Sequence, residues 1–158
     1  MKRVLATMLC LATASVAVAG DWNFFTTAGE ENSPEALAYD RDAIIKHDGD
    51  INVWFAWINS NRSKKYDLLL DLWQINCDQK KYKRLQASIY VRGKHLDSRH
   101  EENTWQYAIP GTVGEIAIEV SCKRYDTGVK IETDSLVELV KKGKELIKKE
   151  ASKKEKIF

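Results

Sequence analysis

A strand pattern with apolar residues on both sides runs through INVWFAWI, residues 51–58. One side, at every second position, carries Ile51, Val53, Phe55 and Trp57. Trp54 and Ile58 lie on the other side, so neither side of this strand suits exposure to water. The pattern predicts a strand within a sheet that is covered on both faces. The Asp48-Gly49 pair just before it is typical of a hairpin turn.

Further strands are predicted on either side of this stretch, separated by turn-forming residues. They cover residues 22–26, 36–39, 44–46, 85–91 and the later half of the apolar stretch 66–77. A loop after the first of them is indicated by Gly29, Asn32, Ser33 and Pro34. Asp71 interrupts the apolar pattern of the stretch 66–77. The link at residues 78–83 is short enough for a hairpin.

The segment after Pro110-Gly111 fits either a helix or a strand. As a helix, it would begin with a capping box of Thr112 and Glu115, with Glu115 and Glu119 on its polar face. As a strand, it would place Ile116, Ile118, Val120 and Cys122 on one side, and its β-branched residues favour that alternative. The capping box and the two glutamates favour the helix, and the strand stays open.

A lysine-rich amphipathic helix is predicted for residues 135–151. Ser135 and Glu138 form a capping box at its start. Its apolar stripe consists of Leu136, Leu139, Val140, Gly143, Leu146 and Ile147. Gly143 weakens the helix by about 1 kcal/mol relative to alanine. The stripe must bury itself on the sheet domain, on a second copy or on a partner protein. The change in composition places a domain at residues 20–125 and a helical tail at residues 126–158.

The first nineteen residues have the pattern of a secretory signal peptide. Lys2 and Arg3 precede an uncharged run that ends at Val18, and Ala17 and Ala19 provide the small residues of a cleavage site before Gly20. The run of about fifteen apolar residues is shorter than the roughly 20 that cross a bilayer, which speaks against a membrane anchor. Cys10 lies within the run and lacks the small preceding residue of a lipoprotein signal. We therefore expect an exported protein that is periplasmic, secreted or located at the cell surface.

Cleavage after residue 19 would change both the charge and the cysteine count. The 25 basic residues of the whole chain would fall to 23 and equal the 23 acidic ones, because Lys2 and Arg3 leave. Cys77 and Cys122 would remain, and two cysteines in a small exported domain most simply form a disulfide. Free buried thiols are the alternative. Neither cysteine has a second Cys or His at ligand spacing, so no metal is expected there.

Motifs of catalysis and of nucleotide binding are absent from the sequence. It contains no phosphate loop, dinucleotide fingerprint, G-x-S-x-G elbow or H-E-x-x-H pair. Ser121 and Asp71 lack a recognisable base or orienting partner. His95 and His100 are five residues apart and flank a polar loop, where a loose metal site is the less favoured interpretation. The expectation is a protein that is not an enzyme and has no cofactor and no metal.

The basic run KKYKR, residues 80–84, is the strongest binding candidate. Its four cations are Lys80, Lys81, Lys83 and Arg84, a cluster suited to a sulfated glycan or another anionic ligand. In an extended chain, Lys81 and Lys83 point to one side and Lys80 and Arg84 to the other. The alternative is a solvated hairpin whose charges protect a sheet edge.

Two other classes of partner are weighed for the rest of the chain. The balance of charges does not suit a polyanion binder, so no nucleic acid is expected. The lysines of the tail could contact anionic lipid, but acidic and polar residues are interleaved with them. Docking of the 135–151 helix, or its binding to a protein partner, is therefore favoured over contact with a membrane.

These elements together resemble the surface-adhesin protein E family. The resemblance rests on Trp22, Tyr39-Asp40, Val53-Trp54, Ile75-Asn76-Cys77, Tyr82-Lys83-Arg84, Trp105, Pro110-Gly111-Thr112-Val113-Gly114-Glu115 and Val120-Ser121-Cys122. It covers about residues 21–123. It implies an α+β fold, in which an antiparallel β-sheet carries a packed helix tied by the Cys77–Cys122 disulfide. The C-terminal amphipathic helix follows that domain.

The resemblance also implies a function. The namesake of the family is similar to an outer-membrane adhesin that binds host extracellular-matrix proteins and complement regulators, and most relatives are exported domains of unassigned role. We expect an exported non-enzymatic binding module of a Gram-negative bacterium, a surface adhesin for host matrix proteins or glycans. The alternative is a periplasmic structural or partner-binding protein. Two departures from the family are the missing lipoprotein signal and the lysine-rich tail.

Overall fold

The computed structural model describes residues 20–30, 33–61, 65–101, 104–123 and 128–155. The predicted signal peptide and Cys10 lie outside the described residues, as does Asn32. The strands are β1 (Gly20–Glu30), β2 (Ser33–Asp40), β3 (Ile45–His47), β4 (Asp50–Asn59), β5 (Leu68–Asn76), β6 (Lys81–Val91), β7 (Lys94–His100), β8 (Gln106–Tyr107) and β9 (Val129–Thr133). The helices are α1 (Val113–Lys123) and α2 (Leu136–Glu155).

Within the described part of the chain, the nine strands form one sheet with antiparallel pairing throughout. The order across the sheet is β7-β6-β5-β4-β2-β1-β9, while β3 pairs with β4 and β8 pairs with β6. The predicted strand at residues 51–58 lies in β4, between β5 and β2. The expected α+β fold with an antiparallel sheet is confirmed.

Both faces of the sheet are covered, as the pattern of residues 51–58 predicts. Val53 and Phe55 pack on one face beneath α1, in a cluster that includes Trp73 and Ala117. The other face is covered by α2. Its cluster consists of Trp22, Phe24, Ala36, Ala38, Ala56, Ile58, Leu68, Leu70, Ile131, Leu139, Val140 and Ile147. We call these the α1 face and the α2 face.

The segment after Pro110 is helical, and the strand alternative is wrong. Its start differs from the predicted capping box. The carboxylate of Glu115 accepts a hydrogen bond from the N–H of Gly111 at 2.8 Å, and the hydroxyl of Thr112 donates to the carbonyl of Ile109 at 2.6 Å. The Pro110-Gly111 turn, with a φ of 76° at Gly111, brings the Gly111 N–H to Glu115 in place of the Thr112 N–H.

The C-terminal segment adds a strand and a helix to the sheet. β9 pairs with β1 from Gly20↔Thr133 to Phe24↔Val129. At the start of α2 the Ser135 hydroxyl accepts a hydrogen bond from the Glu138 N–H at 3.3 Å, as the second capping box predicts. The apolar stripe of α2 packs on the sheet. Of the three partners that the sequence leaves open for this stripe, it therefore contacts the sheet domain. No helix among the described residues is long and apolar enough to cross a membrane.

Two predicted loops are largely strand where the structure describes them. Gly29 and Pro34 face each other in the β1–β2 pair, which extends beyond the predicted strands. His95 and His100 lie on β7, an exposed edge strand that pairs with β6. An edge strand exposed on both sides has no apolar alternation, so its sequence resembles that of a polar loop.

Candidate binding site

The basic run begins in the turn after β5 and continues into β6. Lys80 occupies the turn with a φ of 49°, and Lys81 is the first residue of the strand. The ammonium of Lys81 lies 4.7 Å from the centroid of the Trp105 ring, and that of Lys83 lies 4.8 Å from it. Neither ammonium forms an ion pair with a described residue. We call Lys81, Lys83 and Trp105 the lysine patch.

The strand beside the lysine patch carries amides and no free carboxylate. Gln74 is paired with Lys83, and Asn76 with Lys81, across the β5–β6 ladder. Both amides donate to the carboxylate of Asp50, at 2.8 Å and 2.7 Å. The amides carry no charge and leave the charge of Asp50 in place, but neither lysine forms an ion pair with Asp50, and both ammoniums lie instead beside a partly buried indole ring.

Arg84 points to the opposite side of β6, onto the α1 face. Its Nε lies 3.1 Å from Oδ1 and 2.9 Å from Oδ2 of Asp71, and its Nη2 lies 3.8 Å from Glu101. Asp71 is only 1% exposed. Burial raises the pKa of the Asp71 carboxyl above its ordinary value, and the guanidinium offsets part of that effect. The apolar pattern of β5 is therefore interrupted by a buried ion pair.

A groove of about 610 Å³ lies over this ion pair. We call it the aromatic groove, and it is lined by Trp57, Leu69, Asp71, Trp73, Tyr82, Arg84, Gln106, Tyr107, Ile109, Thr112, Val113 and Gly114. The rings of Trp73 and Tyr82 stack with centroids 4.3 Å apart and planes 11° apart. Tyr107 and Ile109 stand at the edge of the groove, 72% and 67% exposed. The groove combines aromatic walls with a charged pair at its base.

The start of α1 forms one end of the aromatic groove. A Cβ atom on Gly114 would lie 3.2 Å from Cε1 of Tyr82, so the glycine allows the helix to approach the ring closely. The other end of α1 is fixed by the disulfide between Cys77 and Cys122, whose Cα atoms are 5.6 Å apart. The predicted pairing of these cysteines is confirmed. Both ends of α1 therefore contact the β5–β6 hairpin that carries the basic run.

The match with known proteins covers these elements. The family model of surface-adhesin protein E matches residues 25–123. The chain belongs to the surface-adhesin protein E family. The match runs from β1 to the last residue of α1 and includes the lysine patch and the aromatic groove. No curated protein and no solved structure matches the chain.

Membership in the surface-adhesin protein E family supports an adhesin-like protein with an exported or surface location and a non-enzymatic role. The two β7 histidines of this family member belong neither to the lysine patch nor to the lining of the aromatic groove. Nε2 of His95 lies 2.7 Å from the Ser98 hydroxyl, and its ring contacts Tyr90 edge-on. In the part of the chain that the structure describes, no three His, Cys, Asp or Glu side chains are grouped so that they could hold a metal ion.

The structure separates the four predicted cations of the adhesin-E chain. It brings Lys81 and Lys83 together on Trp105, places Arg84 in the aromatic groove and leaves Lys80 in the turn. The sequence pattern does not reveal the groove, because Trp57 follows the alternation of a strand that is predicted to be covered on both faces. The signal that could have found it is Asp71, a carboxylate within an apolar strand.

Proposed function

We propose that the chain is an exported, non-enzymatic binding module that attaches to host extracellular-matrix proteins or sulfated glycans through the lysine patch. The observation that carries this proposal is the convergence of Lys81 and Lys83 on the single ring of Trp105. Each contact with the ring is worth about 0.5–1 kcal/mol at an exposed site. Together they hold two like charges beside the same ring.

An anion between the two ammoniums would relieve their repulsion. Lysine is a compact point charge with three donors, which suits the oxygens of a sulfate or a carboxylate. The rest of the chain adds no general attraction, because residues 20–158 carry equal numbers of basic and acidic side chains. Binding should therefore be local and should weaken with added salt, since exposed charges are screened over about 8 Å at physiological ionic strength.

The test measures binding of oxidised residues 20–158 to immobilised heparin, laminin and vitronectin at physiological salt. The variant is the double substitution Lys81→Gln and Lys83→Gln. Its matched control is Lys141→Gln with Lys148→Gln, which removes the same charge from the exposed side of α2. We expect the first variant to bind about tenfold more weakly or worse, a loss of about 1.4 kcal/mol, and the control to bind as the parent does. Equal losses in the two variants, or no binding of the parent to any of the three ligands, would refute the proposal.

The location is a second part of the proposal. The charged start, apolar run and small residues of positions 1–19 support export with cleavage before Gly20. Sequencing the N-terminus of the protein recovered from cells should give Gly20-Asp21-Trp22. Cell fractionation then separates surface adhesion from the alternative, a periplasmic structural or partner-binding role. A protein confined to the periplasm would favour that alternative.

A further inference from the structure

The aromatic groove is a second candidate site, on the other side of β6 from the lysine patch. Its volume of about 610 Å³ falls in the range of about 300–1,000 Å³ that is typical of ligand sites. An apolar cleft with a few convergent polar groups and a carboxylate of perturbed pKa is the expected form of a binding site. The buried carboxylate of Asp71 and the partly exposed guanidinium of Arg84 supply those polar groups. A buried ion pair is weak evidence for stability, so its position at the base of a cleft favours a role in binding.

The polar groups of the groove select an uncharged ligand that accepts hydrogen bonds. Both carboxylate oxygens of Asp71 face Nε of Arg84, and Glu101 lies 3.8 Å from Nη2, so two carboxylates share one guanidinium and an anionic ligand is disfavoured. The Nη atoms of Arg84 donate no hydrogen bond to any described residue. A third of the Arg84 side chain is exposed, at 35%. The base of the groove therefore offers Nη donors that make no hydrogen bond to a described residue, although Nη2 also lies 3.8 Å from Glu101, while the Asp71 carboxylate is only 1% exposed.

The walls of the groove select a ligand with flat apolar surfaces. Trp57 and Trp73 lie with ring centroids 6.5 Å apart, and Tyr82 stacks on Trp73. Tyr107 and Ile109 extend this surface to the rim, where they are largely exposed. Aromatic-lined grooves are the surfaces on which proline-rich segments dock in several recognition domains, since such segments are already extended and lose little entropy on binding.

We propose that the aromatic groove binds a proline-rich segment of a partner protein in the polyproline II conformation. Proline offers a carbonyl acceptor and no N–H, which complements a site with free donors and an engaged acceptor. A neutral saccharide would also stack on the rings, but its hydroxyl donors would not reach the carboxylate of Asp71, which is only 1% exposed. This site is separate from the lysine patch and does not depend on it.

The experiment titrates ¹⁵N-labelled, oxidised residues 20–158 with a peptide of ten prolines and follows the indole N–H signals. We expect saturable shifts of the Trp57 signal at or below about 1 mM peptide. Trp54 lies on the same strand but on the α2 face, and its signal should stay in place. A Gly-Ser peptide of equal length and cellotetraose serve as the control probes, and neither should reproduce the shifts.

Two variants connect the shifts to the groove. Tyr107→Ala removes an exposed ring from the rim and should weaken binding of the proline peptide by about tenfold or more, the size of an aromatic hot spot. Leu96→Ala removes an exposed apolar side chain from β7 and should leave binding unchanged. The double substitution of Lys81 and Lys83 to glutamine should also leave it unchanged, so failure of the lysine patch and failure of the groove are distinguishable. The proposal is overturned if the proline peptide moves no groove signal, if the Gly-Ser peptide moves it equally, or if only cellotetraose does.

Discussion

Gly143 of α2 lies directly against Ile58 of β4. A Cβ atom on Gly143 would lie 2.4 Å from Cδ1 and 3.0 Å from Cγ2 of Ile58, which is fully buried. Gly143 lowers the intrinsic stability of the helix by about 1 kcal/mol relative to alanine. Its missing side chain, however, allows the helix to approach the sheet closely. This approach buries Leu139, Val140 and Ile147 on the α2 face. Tertiary packing thus outweighs local propensity at this position.

Substituting Gly143 by alanine should destabilise the protein, although alanine is the better helix former. Alanine gains about 1 kcal/mol of helix propensity, whereas overpacking a closed core costs about 1–3 kcal/mol. We expect a net loss of roughly 1 kcal/mol in the free energy of unfolding. The measurement is the midpoint of urea unfolding, compared with that of the parent chain.

The control for this prediction is a double-mutant cycle with Ile58→Val, which removes Cδ1, the atom closest to the added Cβ. On its own this change costs about 0.5–1.5 kcal/mol. In the Gly143→Ala background it should cost less, because it also relieves the contact. If the stability effects of the two substitutions are additive, the close approach of Gly143 and Ile58 is not the cause of the stability loss in Gly143→Ala.

Loss of the Cys77–Cys122 disulfide should lower the stability of the folded chain substantially. The two cysteines are separated by 45 residues, and the chain-entropy model gives about 4 kcal/mol for a loop of that length. The variant replaces both cysteines by alanine, and unfolding in urea measures the loss. Dithiothreitol should destabilise the parent by a similar amount and leave the double variant unchanged. A loss below about 1 kcal/mol would mean that the unfolded chain gains little freedom from the break.

Most of the sheet is predictable because its strands alternate strongly. The strand at residues 51–58 shows its double coverage directly in its sequence, and α1 is favoured by two glutamates on one side. The contacts that decide α1 lie elsewhere in the chain, at Tyr82 and Cys77. β7 and β9 could not be predicted, since short or exposed edge strands depend on backbone pairing and carry little apolar pattern.

The binding surfaces are predictable only in part. Alternation along an extended chain separates Lys81 and Lys83 from Arg84, and the structure places them so. The contact of both lysines with Trp105 depends on how the chain returns to β6 after β7, which no local pattern specifies. The aromatic groove needs the segment 106–114 to stand beside β5 and β6. Long-range contacts of this kind leave no periodic signal in the sequence.

Alanine substitutions at two hairpin glycines distinguish the cost of an unfavourable φ from the cost of a clash with another element. Gly93 joins β6 to β7 with a φ of 76°, and a Cβ atom there would lie 2.2 Å from Cγ2 of Val137 in α2. Gly49 has a φ of 85° and open space around it. Gly49→Ala should therefore lower the free energy of unfolding by about 1 kcal/mol, because of the unfavourable φ. Gly93→Ala should lower it by more, because the added Cβ atom also meets Val137.

The second substitution that checks this prediction is Val137→Ala, at a position that is largely exposed. In the Gly93→Ala background it should restore stability to about the level of Gly49→Ala, as measured by thermal unfolding. If Gly49→Ala and Gly93→Ala lower stability equally while Val137 is unchanged, the contact of Gly93 with α2 has no effect on stability.

The buried carboxyl of Asp71 should make stability depend on pH in a defined direction. Burial raises its pKa in the folded chain above the ordinary value of 3.8, so the folded protein holds this proton more tightly than the unfolded chain does. The contribution of this group is therefore fully present below pH 3.8 and is lost as the pH rises through the folded pKa. Relative to Asp71→Asn, the parent chain should lose stability between about pH 4 and the folded pKa and then stay level. Urea unfolding from pH 3.5 to pH 7 measures the difference at each pH, within about the range where carboxyls titrate.

Asp48→Asn is the matched control, because Asp48 is 89% exposed and lies in a turn with a φ of 47°, which asparagine tolerates. Its difference from the parent is the reference for the effect of removing one exposed carboxylate, with which the Asp71→Asn difference is compared at each pH. Other carboxyls, such as Asp40, whose pKa is also raised by burial, remain in both chains and cancel from each difference. If the parent instead gains stability relative to Asp71→Asn as the pH rises, the attraction of Arg84 outweighs the burial of Asp71. The ion pair would then stabilise the fold, and its place at the base of the aromatic groove would need no role in binding to explain it.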